Sequence, residues 1–182
     1  MNEAADLEDV RRCLAGETGA FEGIIRRYQR PVLNLAYRIV RNHEDARDVV
    51  QSVFVKVYER LASYDSRFKF FSWLYRIAVN ESLNLAEKRD RRIPPPSAWM
   101  SGESNPADAA AAEELTRRIE ATLAGLAPGQ RALLAMSADG LTYREMGDAL
   151  GLPEPTIKSR LFAARDKLRG LIGREGRPAH DR

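Results

Sequence analysis

The stretch LTYREMGDALGLPEPTIKSRLFAARDKL, residues 141–168, predicts two helices joined by a tight turn. Thr142 and Glu145 have the spacing of a capping box, in which each side chain satisfies a backbone N–H at the helix start. Gly151 falls where the chain needs a left-handed residue after the first helix. Pro155 suits the first turn of the second helix, because its missing N–H would have no partner there. These features together predict a helix-turn-helix.

The second helix of this unit has two distinct faces. Apolar residues recur at helical spacing along one of them: Ile157, Leu161, Ala164, Leu168 and Leu171. Polar, basic and aromatic residues occupy the other: Lys158, Ser159, Phe162, Arg165 and Arg169. A recognition helix needs this division, because its back packs on the preceding helix while its outer donors reach DNA bases and phosphates. The alternative is an ordinary helical hairpin whose basic residues only keep the surface soluble.

Composition narrows the possible classes of protein. The 182 residues carry 30% charged side chains and a formal net charge of +3, typical of a globular protein. No apolar run is long enough for a transmembrane helix, and the acidic start has no signal-peptide core, so we expect no membrane insertion. With Cys13 as the single cysteine and only two histidines, we expect no disulfide, no metal site and no cofactor.

Charge is unevenly distributed along the chain. Residues 156–182 hold eight Lys/Arg against three Asp/Glu, whereas residues 101–127 hold two against five. A basic C-terminal end favours a polyanionic partner.

No segment shows the alternating pattern of a strand, so we predict an all-α fold of two helical modules joined by a flexible linker. The N-terminal module contains four predicted helices, with Thr18 and Asn42 as candidate N-caps and Pro31 expected to kink or restart the second. The stretch IPPPSAWMSGESNP, residues 93–106, has four prolines and no periodicity, which is typical of a linker. We place the domains at residues 1–92 and 113–182, with the linker at 93–112.

The stretch RFKFFSWLYRIAVN, residues 67–80, opens a helix that has two faces of its own. One face is a predicted core stripe of Phe70, Leu74, Ile77, Ala78 and Leu85. The other face aligns Trp73, Arg76, Asn80, Asn84 and Lys88 at steps of three or four. Rings, amides and basic groups together resemble a surface for single-stranded nucleic acid. The alternative is that the tryptophan closes the core edge and both asparagines are simply solvated.

The helix before it also has a polar face. Opposite its apolar stripe lie Asp48, Gln51, Ser52, Val55 and Glu59. An acidic, amide-bearing face in a basic protein favours a protein partner over DNA, although a plain solvated face fits the periodicity equally well.

Three motifs in order resemble one family. They are DARDVVQSVFVKVYERLASYD from residue 45, FFSWLYRIAVNESLN from residue 70, and the helix-turn-helix. Together they resemble the extracytoplasmic-function sigma factors of bacterial RNA polymerase over nearly the whole chain. The resemblance implies a non-enzymatic, cytoplasmic and nucleoid-associated factor of stress responses. Such a factor binds core polymerase, recognises the −10 and −35 promoter elements, and promotes DNA melting.

The resemblance also implies residue roles and partners. The β′ clamp helices would bind Asp48, Gln51, Ser52, Val55 and Glu59. The −10 element would meet Ser66, Phe68, Lys69, Trp73, Arg76, Asn80, Asn84, Lys88, Arg89, Arg91 and Arg92. The −35 element would meet Thr156, Lys158, Ser159, Arg160, Phe162 and Arg165. The second module would also reach the polymerase β flap, and a cognate anti-sigma factor is expected.

Two other classes of function stay open from the residues alone. One is an autonomous helix-turn-helix repressor or activator, which would bind a duplex operator unaided. The other is an all-helical enzyme, against which stands the lack of any evident acid–base pair, nucleophile–base set or phosphate-binding glycine loop in the sequence.

Overall fold

The computed structural model describes residues 3–90, 123 and 125–175, and these residues form helices, turns and short connections without a strand. The predicted all-α class is therefore confirmed. The predicted linker, residues 93–112, lies outside the described residues. No helix in the described ranges has the length and apolarity that crossing a bilayer requires.

The N-terminal module consists of four α-helices and two short 3₁₀ turns. The helices are α1 (Glu3–Leu14), α2 (Phe21–Val40), α3 (His43–Arg60) and α4 (Phe70–Asp90), and the 3₁₀ turns are Thr18–Ala20 and Leu61–Ser63. Helices α2, α3 and α4 pack on one another in all three pairings, and their buried apolar stripes form the core of the module.

Helix boundaries in this module follow local signals in part. Asn42 caps α3 as predicted, with its side-chain oxygen accepting from the Asp45 N–H at 3.0 Å. The predicted Thr18 cap is wrong, because Thr18 lies in a 3₁₀ turn and α2 begins after Ala20. Helix α2 also runs through Pro31 without a restart. The tertiary packing of α2 against α3 and α4 outweighs the loss of one backbone hydrogen bond there.

Helix α1 is fastened to α2 by a buried polar cluster. Asp6 is 2% exposed, and it accepts hydrogen bonds from the Tyr28 hydroxyl at 2.6 Å and from Arg27 at 2.9 Å. Burial, together with the bond to Asp6, raises the pKa of Tyr28 far above its ordinary value, so the hydroxyl stays a donor. A buried carboxylate held by one charged and one neutral donor of α2 fastens α1 to α2.

The C-terminal module contains α5 (Pro128–Ala138), α6 (Tyr143–Leu150) and α7 (Glu154–Glu175). Helices α6 and α7 form the predicted helix-turn-helix and pack on each other; α6 also packs on α4, and α7 packs on α5. Of the predicted apolar stripe of α7, Ile157, Leu161 and Ala164 are buried.

The start of α6 and the turn after it are built as their sequence predicts. The Thr142 N–H donates to the Glu145 carboxylate at 2.8 Å, and the Glu145 N–H donates back to the Thr142 hydroxyl at 3.2 Å. Gly151 ends α6 with a φ of +66°. Gly147 is also required, because a Cβ there would lie 2.6 Å from the Leu152 carbonyl oxygen.

The two modules pack against each other and share one continuous core. Helix α5 packs on α2 and α4, and α6 packs on α4. Buried residues of both modules belong to a single apolar cluster. Tyr75 of α4, only 2% exposed, reaches across to donate to Asp139 at 3.1 Å. The sequence predicted two modules, but it did not predict this contact between them.

Candidate nucleic-acid interface

A cavity of about 280 Å³ lies between the C-terminal half of α3 and the first turns of α4. Its lining includes three of the predicted nucleic-acid residues, Trp73, Arg76 and Asn80. The fold thus brings an indole, a guanidinium and an amide to one concave surface. Asn80 is exposed there, so its amide does not pack in the core.

Three further residues line this cavity and were missed from the sequence. Lys56, Arg60 and Ser63 approach it from the end of α3 and the turn after it. The Lys56 ammonium pairs with Glu81 on the opposite wall at 2.5 Å. With Arg60 and Arg76 added, cations outnumber the single carboxylate of the lining, which suits a phosphate-bearing strand.

The tryptophan is half-buried, and its ring is held by other aromatic side chains. Its centroid lies 5.4 Å from Tyr64 and 5.6 Å from Phe70. Phe70 is buried at 1% exposure, so the same cluster anchors α4 in the core. Phe70 therefore belongs to the core, and Trp73 connects that core to the cavity wall.

The loop before α4 presents three exposed side chains. Ser66, Phe68 and Lys69 are all exposed, and the Phe68 ring is 52% exposed. The Tyr64 hydroxyl donates to the Phe68 carbonyl at 2.6 Å, which holds the loop against the aromatic cluster. Exposed aromatic rings are the groups on which proteins that bind single-stranded nucleic acid stack bases.

The remaining predicted residues on α4 have different surroundings. Asn84 and Lys88 are exposed and continue the line that starts at Trp73. Arg89 is half-buried and ion-paired with Asp45, so in this structure its guanidinium joins α4 to α3. The predicted residues Arg91 and Arg92 lie outside the described residues.

The polar face of α3 is exposed as its sequence pattern indicated. Its exposed members are Asp48, Gln51, Ser52, Val55 and Glu59. Tyr58 belongs to the same face and was missed; it is 50% exposed and packs edge-on against Phe21 at 5.1 Å. Tyrosine is enriched at protein interfaces, whereas carboxylates are typical of solvated faces, so both interpretations of this face stay open.

The outer face of α7 carries the predicted −35 residues. Lys158, Ser159, Arg160, Phe162 and Arg165 are exposed, Thr156 is half-buried, and the Phe162 ring is 71% exposed. The Arg165 guanidinium donates to the Ser137 hydroxyl at 2.8 Å. The Lys158 ammonium pairs with Glu154 at 2.9 Å and lies over the Tyr143 ring, 5.4 Å from its centroid. Both cations are solvent-accessible, and each has an internal partner that orients it.

Family models identify both modules. The model of sigma-70 region 2 matches residues 24–92, and the model of sigma-70 region 4 matches residues 116–168. Among curated proteins, the ECF RNA polymerase sigma-E factor of Escherichia coli K12 is 35% identical, over 87% of this chain and 90% of its own. The RNA polymerase sigma-H factor of Pseudomonas aeruginosa is 28% identical, over 92% of this chain and 94% of its own.

Solved structures share the fold. CnrH, determined in complex with the cytosolic domain of CnrY, superposes with a TM-score of 0.73 and 28% identity, covering 94% of this chain and 99% of that one. The sigma factor RpoE of Bartonella quintana, determined with the anti-sigma factor NepR, superposes with a TM-score of 0.64. Its identity is 22%, over 84% of this chain and 96% of that one, so this likeness shows the fold alone.

Proposed function

Because this chain belongs to the extracytoplasmic-function sigma factors of the sigma-70 family, we propose that its two modules divide promoter recognition between them. The protein is a promoter-specificity subunit and not an enzyme: it binds core RNA polymerase, recognises the −10 and −35 elements and promotes DNA melting. In our proposal, polymerase and the −10 element bind to residues 1–92, and the −35 element binds to residues 113–182. A linker of residues 93–112 connects these two domains. It acts in the cytoplasm, at the nucleoid.

The observation that carries the −10 assignment is the cavity between α3 and α4. Trp73, Arg76 and Asn80 meet there on the helix that follows the exposed loop, and the lining is cationic. A base turned out of the stack would insert here, with rings to stack on and an amide to read its edge. Ser66, Phe68 and Lys69 would hold the strand from the loop, and Asn84 and Lys88 would follow it along α4.

The assignment of α7 to the −35 element is supported by its exposed outer face. Lys158, Ser159, Arg160, Phe162 and Arg165 are placed as a recognition helix places its reading residues, and Thr156 lies at its N-terminal end.

We assign the exposed face of α3 to the polymerase β′ clamp. That face is Asp48, Gln51, Ser52, Val55 and Glu59, and we now add Tyr58 to it. The second module would reach the β flap. A cognate anti-sigma factor completes the proposed partners, in keeping with the solved relative CnrH, whose structure contains the cytosolic domain of CnrY.

The test of this function is transcription by a reconstituted holoenzyme. Purified chain added to sigma-free core polymerase should direct initiation at discrete sites on fragments of the native genome, and the chain alone should not retard those fragments. Specific binding of a duplex operator by the chain alone, with no initiation from core enzyme, would identify an autonomous repressor instead.

The first prediction concerns the α3 face. The double variant Asp48→Arg with Gln51→Ala should weaken core polymerase binding by more than about tenfold, or 1.4 kcal/mol. Both side chains are exposed, so the fold should not change. Fluorescence anisotropy of labelled protein with core enzyme measures the affinity, and Asp148→Arg, an exposed charge reversal on α6, is the matched control. Equal affinity for the double variant and the control contradicts the clamp assignment.

The second prediction concerns α7. Arg165→Ala should relax base preference within the −35 element by about 1–3 kcal/mol, as expected of an arginine that reads a base. Lys158→Ala should weaken all sequences alike and lower the salt dependence, as expected of a phosphate contact. Transcription from promoters with single changes in the −35 element measures both, and Arg26→Ala on α2 is the control. If both variants match that control, the outer face of α7 does not read DNA.

A further inference from the structure

The ion pair between Lys56 and Glu81 crosses the cavity between α3 and α4. Lys56 belongs to α3 and Glu81 to α4, and the ammonium nitrogen lies 2.5 Å from a carboxylate oxygen. The Lys56 side chain is 36% exposed and the Glu81 side chain 19%, so the pair is partly shielded from solvent. Of the described residues that line the cavity, Glu81 alone carries a carboxylate, whereas Lys56, Arg60 and Arg76 carry cations.

The packing of α3 on α4 rests on apolar side chains rather than on this ion pair. The shared core of the two helices includes Val53, Val57, Leu74 and Ala78, each of them 0% exposed. A partly exposed ion pair adds little to the stability of such a contact. In a cavity that receives DNA, a carboxylate also repels the phosphates of the strand. A contact between the carboxylate and a base would offset that repulsion.

The cavity has the size and the lining for one nucleobase. Its volume of about 280 Å³ is close to the lower limit of small-molecule pockets, about 300 Å³. Ile77, 9% exposed, and the half-buried Trp73 form the apolar part of the lining. A base can lie with its face on the indole, as bases do in sites for single strands. Its edge would then meet Asn80 and Glu81, which are neighbours on α4.

The carboxylate can distinguish bases by the group that they present at one edge position. An ionised carboxylate only accepts hydrogen bonds, whereas the Asn80 amide both donates and accepts. Cytosine and adenine present an amino group as a donor, but thymine and guanine present a carbonyl oxygen at the same place. An amino group would donate to Glu81. A carbonyl oxygen would leave the partly buried charge without a partner, at the full desolvation penalty of that group.

Resting on the proposed function, we propose that Glu81 selects the −10 base that enters this cavity and restricts it to an amino base, cytosine or adenine. In the free protein the Lys56 ammonium satisfies the carboxylate. When the strand binds, Lys56 moves on its flexible stem to a phosphate, and the amino group of the base takes its place at Glu81. Each charged group keeps a partner in both states. Thymine and guanine offer no donor, so either Glu81 or the phosphate loses its partner.

Base analogues that lack only the amino group provide the test. The measured quantity is the affinity of reconstituted holoenzyme for a pre-melted promoter bubble. Cytosine or pyrimidin-2-one, and adenine or purine, are placed in turn at each non-template position of the −10 element. At one position the wild type should bind the amino form about tenfold more tightly, as expected of a base contact. Glu81→Met removes the carboxylate and should bring that ratio close to one.

Three further variants separate base selection from a structural role. Lys56→Met breaks the same ion pair but keeps the carboxylate, so it should weaken binding of all strands alike and preserve the ratio. Glu81→Gln has nearly the same shape, and its amide oxygen accepts without a charge, so its ratio should be intermediate. Glu87→Met, at an exposed glutamate of α4 outside the cavity lining, is the matched control and should keep the wild-type ratio. Thermal melts verify that each variant is folded.

The outcomes are distinct. A wild-type ratio near one at every position overturns the selection by Glu81, and so does a ratio that Glu81→Met leaves unchanged. If Glu81→Met does not fold, the ratio of Glu81→Gln decides in the same way. Loss of the ratio in Lys56→Met would show that the ion pair acts as a structural unit, and it also overturns the proposal. The proposed function fails separately, since a wild-type holoenzyme that initiates at no promoter refutes it before any analogue is compared.

Discussion

Phe70→Ala is expected to lower the free energy of unfolding by about 3–5 kcal/mol. The Phe70 ring is 1% exposed, and it contacts Tyr28 at 5.8 Å, Tyr64 at 5.2 Å and Trp73 at 5.6 Å between ring centroids. Removing it leaves a cavity among rings that cannot all move inward, since Tyr28 is fixed by Asp6. Domains of this size are stable by only about 5–15 kcal/mol, so the loss threatens the fold itself.

Urea denaturation followed by circular dichroism measures this loss, and the same chain supplies the control. Phe68→Ala removes the same side chain two residues earlier, where the ring is 52% exposed. The control should lose less than about 0.5 kcal/mol, as surface substitutions usually do. Equal stability of the two variants would show that the start of α4 does not anchor the core.

Asn80→Ala is expected to abolish most promoter opening while keeping both stability and core binding. Asn80 is exposed on the wall of the cavity between α3 and α4, where its amide has no role in core packing. An amide that both donates and accepts can read a base edge, and loss of such a contact costs about 1–3 kcal/mol. The melted strand is the state that makes this contact, so the loss falls on the open complex.

Permanganate footprinting of bubble thymines measures opening, next to a thermal melt of the free protein. On a template with a pre-melted bubble, the variant should still lose its preference for the −10 sequence. The reason is that Asn80 contacts a base of the melted strand, and this contact is needed even when the strands are already separated. Asn34→Ala, at an exposed asparagine of α2, is the matched control. A lowered melting temperature of the variant would show that Asn80 has a structural role. Normal promoter opening by a stable variant would show that Asn80 does not contact the promoter.

The sequence by itself determined the helices, the caps at Asn42 and Thr142 and the helix-turn-helix, because these depend on neighbours within a few residues. The Thr142–Glu145 capping box, the Asn42 cap and the left-handed Gly151 lie where the sequence placed them. The apolar stripes of α3 and α4 were also readable, since burial repeats with the helix period. Leu85 was predicted to be core and is only half-buried, because the buried line at the end of α4 runs through Ser82 and Ala86 instead.

Only the tertiary structure decided which residues meet across elements. Lys56, Arg60 and Ser63 join Asn80 in one cavity because α3 and α4 pack side by side, and nothing in the period of either helix specifies that pairing. The helix period did not assign Tyr75 to either face of α4. It is buried because α5 and Asp139, more than 60 residues later in the sequence, pack over it. Arg131 of α5 is likewise buried through a long-range contact, since its guanidinium donates to the Ile39 carbonyl near the end of α2. Local patterns report which face of a helix avoids water, whereas the identity of the covering partner depends on long-range packing.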